Sequence, residues 1–134
     1  MEREYICPHC EGYLNVCDYI VFSTKNNKKQ RGLIMLHPEI GNYTSLKHSS
    51  YHYEQGENIE FYCPLCHKSL ASDIDPNLIH VILIEDNKEY KVYFSRIAGE
   101  QSTYKVSGDQ VTEAGTNADR YTHFKLADEH KKFL

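Results

Sequence analysis

The alternation of apolar and polar residues along the chain predicts a mostly β structure. Residues 13–24 are rich in β-branched and aromatic side chains, which predicts one or two strands. The polar, basic stretch 25–31 predicts a turn, and the apolar run 32–36 predicts the strand that returns from it. Residues 39–58 are polar and weakly periodic, so we expect a loop there with at most one short strand.

The pattern of period two is clearer in the second half of the chain. Residues 59–62 and 80–84 each predict a strand, and residues 85–88 predict a hairpin loop. Apolar and polar side chains alternate through residues 90–94, which is typical of a half-buried strand. Residues 103–106 are a further strand candidate, so we expect an antiparallel β-meander in this half.

The end of the chain and the middle of the chain carry weaker patterns. Residues 120–125 are a strand candidate, and in residues 126–134 acidic residues precede lysines, an order that favours a short helix. Turn-forming residues at 72–77 predict a boundary. We therefore divide the chain into residues 1–74 and residues 75–134, which are either two regions or one compact domain.

Two Cys-Pro-x-Cys motifs are the strongest chemical feature of the sequence. Each follows a dipeptide, Tyr5-Ile6 or Phe61-Tyr62, that is typical of a strand end. Together the motifs supply four thiolates, which is the ligand set of a closed, structural Zn²⁺ site. The predicted ligands are Cys7, Cys10, Cys63 and Cys66.

The two motifs resemble the knuckles of zinc ribbons, the rubredoxin-like family in which two Cys-Pro-x-Cys turns hold one Zn²⁺. The first motif has Gly12 shortly after its second cysteine, as in the family pattern, whereas His67 and Lys68 stand where glycine is often found. Residues 11–62 separate the motifs, which is far more than the usual gap of about 15–20 residues. The gap means either that a zinc ribbon carries a long insertion between its knuckles or that a larger fold brings two halves of one site together. The resemblance implies the first, a zinc ribbon with a long insertion, followed by the β-meander and the C-terminal helix. It implies one structural Zn²⁺, although four thiolates also suit iron.

Composition narrows the class of protein. The chain has 134 residues, a net charge of −4 and five cysteines. The acidic balance argues against a general nucleic-acid binder. No leader pattern is visible at the N-terminus and no apolar run has the length of a membrane span, so we expect a cytoplasmic protein without membrane contact. In that compartment paired cysteines are more often metal ligands or redox groups than disulfides.

Other side chains have possible roles near a metal. His9 and His67 lie within or beside the motifs and could replace a cysteine, but we expect them to donate hydrogen bonds or face solvent. Cys17 is left over, and we expect it to be a small buried side chain on a strand. His48 and His52 are four residues apart and leave open a second metal site, which lacks an evident third ligand.

The functional hypothesis that follows is a non-enzymatic, zinc-binding interaction or adaptor module, with another protein as its partner. The sequence contains no nucleophile elbow, no phosphate-binding glycine loop and no carboxylate pair that would suit acid–base catalysis. The eleven tyrosines favour a contact surface, because tyrosine supplies a large contact area at low entropic cost. The pattern does not specify an oligomeric state.

Two alternatives remain open. The first is a nucleic-acid-binding zinc ribbon of the transcription or translation type, whose contacts would come from Lys25, Lys28, Lys29 and Arg31. The second is a thiol-redox enzyme that uses Cys7-Pro8-His9-Cys10, a tetrapeptide that resembles the active-site turn of oxidising thioredoxin-like enzymes. The β-rich sequence that follows does not predict the helix on which that chemistry depends.

Overall fold

A computed structural model describes residues 3–107 and 110–115, and the regular structure within them is entirely β. The strands in these residues are β1 (Arg3–Ile6), β2 (Asn15–Val16), β3 (Tyr19–Lys25), β4 (Arg31–Leu36), β5 (Ser45–Lys47), β6 (Glu60–Tyr62), β7 (Leu78–Glu85), β8 (Lys88–Ser95), β9 (Thr103–Ser107) and β10 (Gln110–Ala114).

The strands form two antiparallel sheets. Sheet A has the order β1-β7-β8-β9-β10. Sheet B has the order β2-β3-β4-β5, and β6 also pairs with β3. Because β1 pairs with β7 along its whole length, strands from both sides of residue 74 share sheet A. The division of the chain at residue 74 itself stays a prediction.

The hydrophobic core lies between the inner faces of the two sheets. Phe22 on β3 and Phe61 on β6 both contact Phe94 on β8, with ring centroids 5.5 and 5.6 Å apart. Around these rings the buried side chains come from both sheets, including Ile20 and Ile34 from sheet B. The alternation of buried and less buried positions along β3 and β7 is the period-two pattern of a strand that has one face in a core.

Most strand predictions are confirmed. Residues 13–24 contain β2 and most of β3, the run 32–36 lies in β4, and the polar stretch 39–58 contains the single short strand β5. The predicted C-terminal strand (residues 120–125) and helix (residues 126–134) lie outside the described residues. Within the part of the chain that the structure describes, no helix has the length and apolar character needed to cross a membrane.

Candidate metal centre

Four cysteine side chains from the two motifs converge on one point, with all four sulfurs within 4.8 Å of one another. Two of the contacts join the two motifs: Cys7 Sγ lies 3.8 Å from Cys66 Sγ, and Cys10 Sγ lies 3.7 Å from Cys63 Sγ. A tetrahedral zinc site with Zn–S bonds of about 2.3 Å places neighbouring sulfurs about 3.8 Å apart. The spacing is therefore compatible with one metal ion bound by four thiolates.

The two motifs fold into the same turn. The backbone N–H of Glu11 donates to Cys7 O, and that of His67 donates to Cys63 O, both at 2.9 Å. Glu11 and His67 both have left-handed backbone conformations, with φ of 61° and 65°. The position that favours glycine is thus the residue directly after the second cysteine of each motif, and Gly12 does not occupy it.

Backbone N–H groups point at the first cysteine of each motif. Proline at the second position has no N–H, and its fixed φ suits the first corner of the turn. The next two residues then direct their N–H groups at the sulfur, which stabilises a thiolate. The donors are His9 and Cys10 for Cys7 Sγ (3.3 and 3.5 Å), and Leu65 and Cys66 for Cys63 Sγ (3.3 and 3.4 Å).

Burial opposes ionisation of two of the four thiols when no metal is bound. Burial raises the pKa of Cys7 to about 12 and also raises the pKa of Cys63. The backbone N–H of Lys68 lowers the pKa of Cys66. A metal ion must displace the protons of the buried thiols, so metal affinity should rise with pH.

The two turns also contact each other directly. His9 Nε2 donates to Ser69 O at 3.1 Å, which links the first motif to the chain just after the second. In the other direction, Leu65 packs over Gly12 so closely that a Cβ at Gly12 would clash with Leu65 Cδ1. Neither His9 nor His67 belongs to the group of potential metal ligands that the described residues bring together.

The centre joins the edges of the two sheets. Cys7 and Cys10 directly follow β1, at the edge of sheet A, and Cys63 and Cys66 directly follow β6, which is paired to β3 in sheet B. A metal ion bound by all four sulfurs would therefore link the two layers of the fold at this position.

Two other sequence predictions about cysteine and histidine have different outcomes. The prediction that Cys17 is buried on a strand is wrong: Cys17 is exposed, and with Asp18 it forms the tight turn between β2 and β3. Both residues have positive φ (48° and 68°), as a two-residue hairpin turn requires. His48 and His52 are exposed and are not part of any potential metal-binding group found among the described residues.

The basic stretch forms the hairpin between β3 and β4, as predicted, but acidic side chains lie against it. Buried Asn26 accepts hydrogen bonds from the backbone N–H groups of Lys28 and Gln30, both at 3.0 Å, and so shapes the turn. The carboxylate of Glu57 accepts the N–H of Asn27 at 2.8 Å. Glu60 is the cross-strand partner of Lys25. The predicted contact residues Lys25, Lys28, Lys29 and Arg31 therefore share a surface of mixed charge.

An apolar surface that the sequence did not predict lies on the outer face of sheet B. Val16, Leu33 and Leu46 are about half exposed, at 54%, 55% and 45%. The strand register places Leu46 opposite Met35, and Met35 opposite Val21, so these side chains form a row across three strands. The alternation that predicted the strands also marks these residues as one face, but it does not show which face is covered.

Comparison of the chain with protein-family models, with curated proteins and with solved structures gives no match. The interpretation of the site rests on its own geometry.

Proposed function

We propose that this protein is a non-enzymatic interaction module of the cytoplasm, held together by one structural Zn²⁺ bound to Cys7, Cys10, Cys63 and Cys66. The observation that supports the proposal best is the spacing of 3.7–3.8 Å between sulfurs of different motifs. Four protein sulfurs complete a tetrahedral coordination shell and leave no open position for water or substrate, as expected for a structural ion.

Metal content tests the first half of this proposal. The protein is purified without added metal, the metal per chain is measured by plasma mass spectrometry, and circular dichroism is recorded before and after chelation. We expect about one zinc per chain and loss of β structure on chelation, because metal binding and folding share one free energy. One iron per chain would keep the site but change its ion. A folded, metal-free protein would contradict the proposal.

The outer face of sheet B is the surface we assign to the protein partner. It consists of Val16, Val21, Leu33, Met35 and Leu46, and these side chains leave an apolar surface uncovered by the described residues. Contiguous exposed apolar surfaces often mark interaction sites, whereas single exposed apolar side chains do not. A metal ion that links the two sheets would keep this face rigid. A partner would then bind it with little loss of conformational entropy.

Site-specific crosslinking tests the assigned surface. A photoreactive p-benzoylphenylalanine replaces Leu33 on the outer face, and a matched probe replaces Lys88 in the β7–β8 hairpin, which is also exposed. We expect the probe at residue 33 to capture a defined partner in cells, and Leu46→Glu to abolish the adduct. Equal adducts from both probes, or none at residue 33, would contradict this assignment of the surface. Neither result would bear on the proposed metal site.

Nucleic-acid binding is the second candidate function. Tyr62 is the cross-strand partner of Ser23, which lies two residues before Lys25 on β3. Lys25 in turn pairs with Arg31, so an aromatic ring lies beside the basic hairpin. Glu60, whose carboxylate accepts the Tyr62 hydroxyl at 2.6 Å, places negative charge at the same point. This neighbouring acid ranks nucleic acid behind a protein partner.

A charge-reversal experiment decides between the two candidates. Binding of labelled single-stranded DNA and RNA is measured by fluorescence anisotropy between 50 and 200 mM salt, two conditions chosen because phosphate contacts weaken steeply in this range. If nucleic acid binds here, Lys28→Glu with Lys29→Glu will weaken binding and flatten its salt dependence, whereas Lys88→Glu will not. No binding, or equal effects of the two sets, would remove this candidate.

The thiol-redox alternative has the least support. A nucleophilic cysteine needs an accessible thiolate with a lowered pKa. Cys7 is instead completely buried, and burial raises the pKa of its thiol.

A further inference from the structure

A cavity of about 270 Å³ lies between the inner faces of the two sheets. Its apolar walls come from both sheets, with Ile20 and Ile34 on one side and Val81 and Val92 on the other. Two loops form its mouth: residues 37–44, here called the first mouth loop, and residues 96–102, the second mouth loop.

Hydrogen bonds to other parts of the chain hold both mouth loops in place. In the first loop, Pro38 O accepts the Tyr5 hydroxyl at 2.6 Å, and the Tyr43 hydroxyl lies 2.7 Å from Thr103 Oγ1 on β9. Backbone hydrogen bonds join the second loop to residues 56–59. The cavity is therefore formed before anything binds, as most small-molecule sites are.

Two buried polar atoms that can donate a hydrogen bond have no partner among the described residues. Ser102 is completely buried and lines the cavity, and its Oγ has no hydrogen-bond partner in that part of the chain. The Nε of Arg96, which also lines the cavity, is buried and likewise has no partner there. Buried polar atoms are normally satisfied, so an acceptor atom on a bound molecule would complete this site.

Size and charge define the class of molecule that fits. A cavity of about 150 Å³ holds benzene, so 270 Å³ suits about ten non-hydrogen atoms. Among the residues that line the cavity, Arg96 carries a positive charge, and Glu39 and Glu100 carry negative charges. That balance does not favour an anion, although both unpartnered groups are donors.

We propose that this cavity binds a neutral, mainly apolar small molecule of about ten non-hydrogen atoms whose single accepting oxygen is held by the Ser102 hydroxyl. This site is separate from the four cysteines and from the outer face of sheet B, so it does not depend on either part of the proposed function.

Three related probes test the proposal on the full, zinc-loaded chain by two-dimensional NMR titration: indane, 1-indanone and indane-1-carboxylate. We expect all binding shifts to map to cavity residues, with 1-indanone binding about three- to tenfold more tightly than indane because it gains a hydrogen bond. The carboxylate should bind more weakly than the ketone. Ser102→Ala should remove the advantage of the ketone while leaving the affinity for indane unchanged.

Matched variants test the location. Ala98→Phe fills the cavity mouth and should abolish binding of indane and 1-indanone, whereas Ala71→Phe, at an exposed position outside the lining, should not. If Ala98→Phe does not fold, the Ser102→Ala comparison decides alone. The proposal is overturned if no probe shifts cavity resonances, if the carboxylate binds most tightly, or if the preference for the ketone survives Ser102→Ala.

Discussion

Replacement of His67 by glycine should stabilise the protein, although histidine is the native residue. His67 has a φ of 65°, and a left-handed backbone costs a residue with a Cβ about 1–2 kcal/mol. Glycine avoids this cost but loses about 0.5–1 kcal/mol through its greater freedom in the unfolded chain. The midpoints of the two ranges differ by about 0.75 kcal/mol, which is the expected gain in the free energy of unfolding. The hydrogen bond from the residue 67 N–H to Cys63 O is a backbone contact, so the variant retains it.

The assay is thermal unfolding at a fixed concentration of free zinc, followed by circular dichroism. A gain of this size should raise the midpoint by about 2–4 °C for a chain of this length. Lys68→Gly is the matched control, because Lys68 is adjacent and its φ lies outside the left-handed region. That variant should lower the midpoint by a similar amount. A lower midpoint for His67→Gly, or the same sign for both variants, would refute the argument from backbone strain.

Three further predictions follow from other parts of the structure. Cys10→Ser should weaken zinc binding by about 10²–10³-fold, because one of four ligands is lost from a total of about 10–16 kcal/mol. Cys17→Ser, at the exposed cysteine outside the cluster, should not weaken it; chelator competition measures both, and equal losses would exclude the four-cysteine site. Glu85→Gln should lower the free energy of unfolding by about 1.5–3 kcal/mol in urea at pH 7, because this buried carboxylate pairs with two basic groups at 2.6 and 2.9 Å. Hydrogen bonding and the charge of those groups lower the pKa of Glu85. The contribution of Glu85 to the free energy of unfolding is therefore present above the ordinary pKa of glutamate and is lost as the pH falls through the folded pKa. A difference in unfolding free energy between variant and wild type that persists unchanged in acid would contradict this. Tyr43→Phe should lower the free energy of unfolding by about 1 kcal/mol, because it removes a hydroxyl that bonds to both β9 and β10. An unchanged urea midpoint would show that this hydroxyl does not hold the first mouth loop.

The sequence was most informative where structure depends on neighbouring residues. The cysteine motifs were evident from their spacing, and the alternation in residues 90–94 marked β8, because both patterns are local. The pairing of strands was not evident. Cys7 and Cys63 follow strands of similar composition, yet β1 joins sheet A and β6 joins sheet B, since pairing depends on residues far away in the chain.

Two of the misses come from weak local signals in the sequence. Cys17 was expected on a strand because Cys17-Asp18 lacks the asparagine or glycine that usually marks a two-residue hairpin turn. Strand β10 was not predicted because Val111 and Thr112 are the only strand formers in it, and its side chains are exposed or half-buried. The intersheet cavity could not be predicted at all, because it depends on how two faces meet.

A metal ion held by all four cysteines would also impose an order on biosynthesis. The contacting sulfurs of the site are 53 and 59 residues apart along the chain, and its two halves belong to different sheets. When the first motif leaves the ribosome, only two thiols are available, and two thiols alone hold zinc weakly. The second motif arrives with β6, but β1 cannot take its place until β7 has also been synthesised, because β7 is its pairing partner. Tight capture of a metal ion at all four cysteines would therefore require a nascent chain that has already brought distant segments together, and a bound ion would mark a molecule whose two layers are correctly assembled.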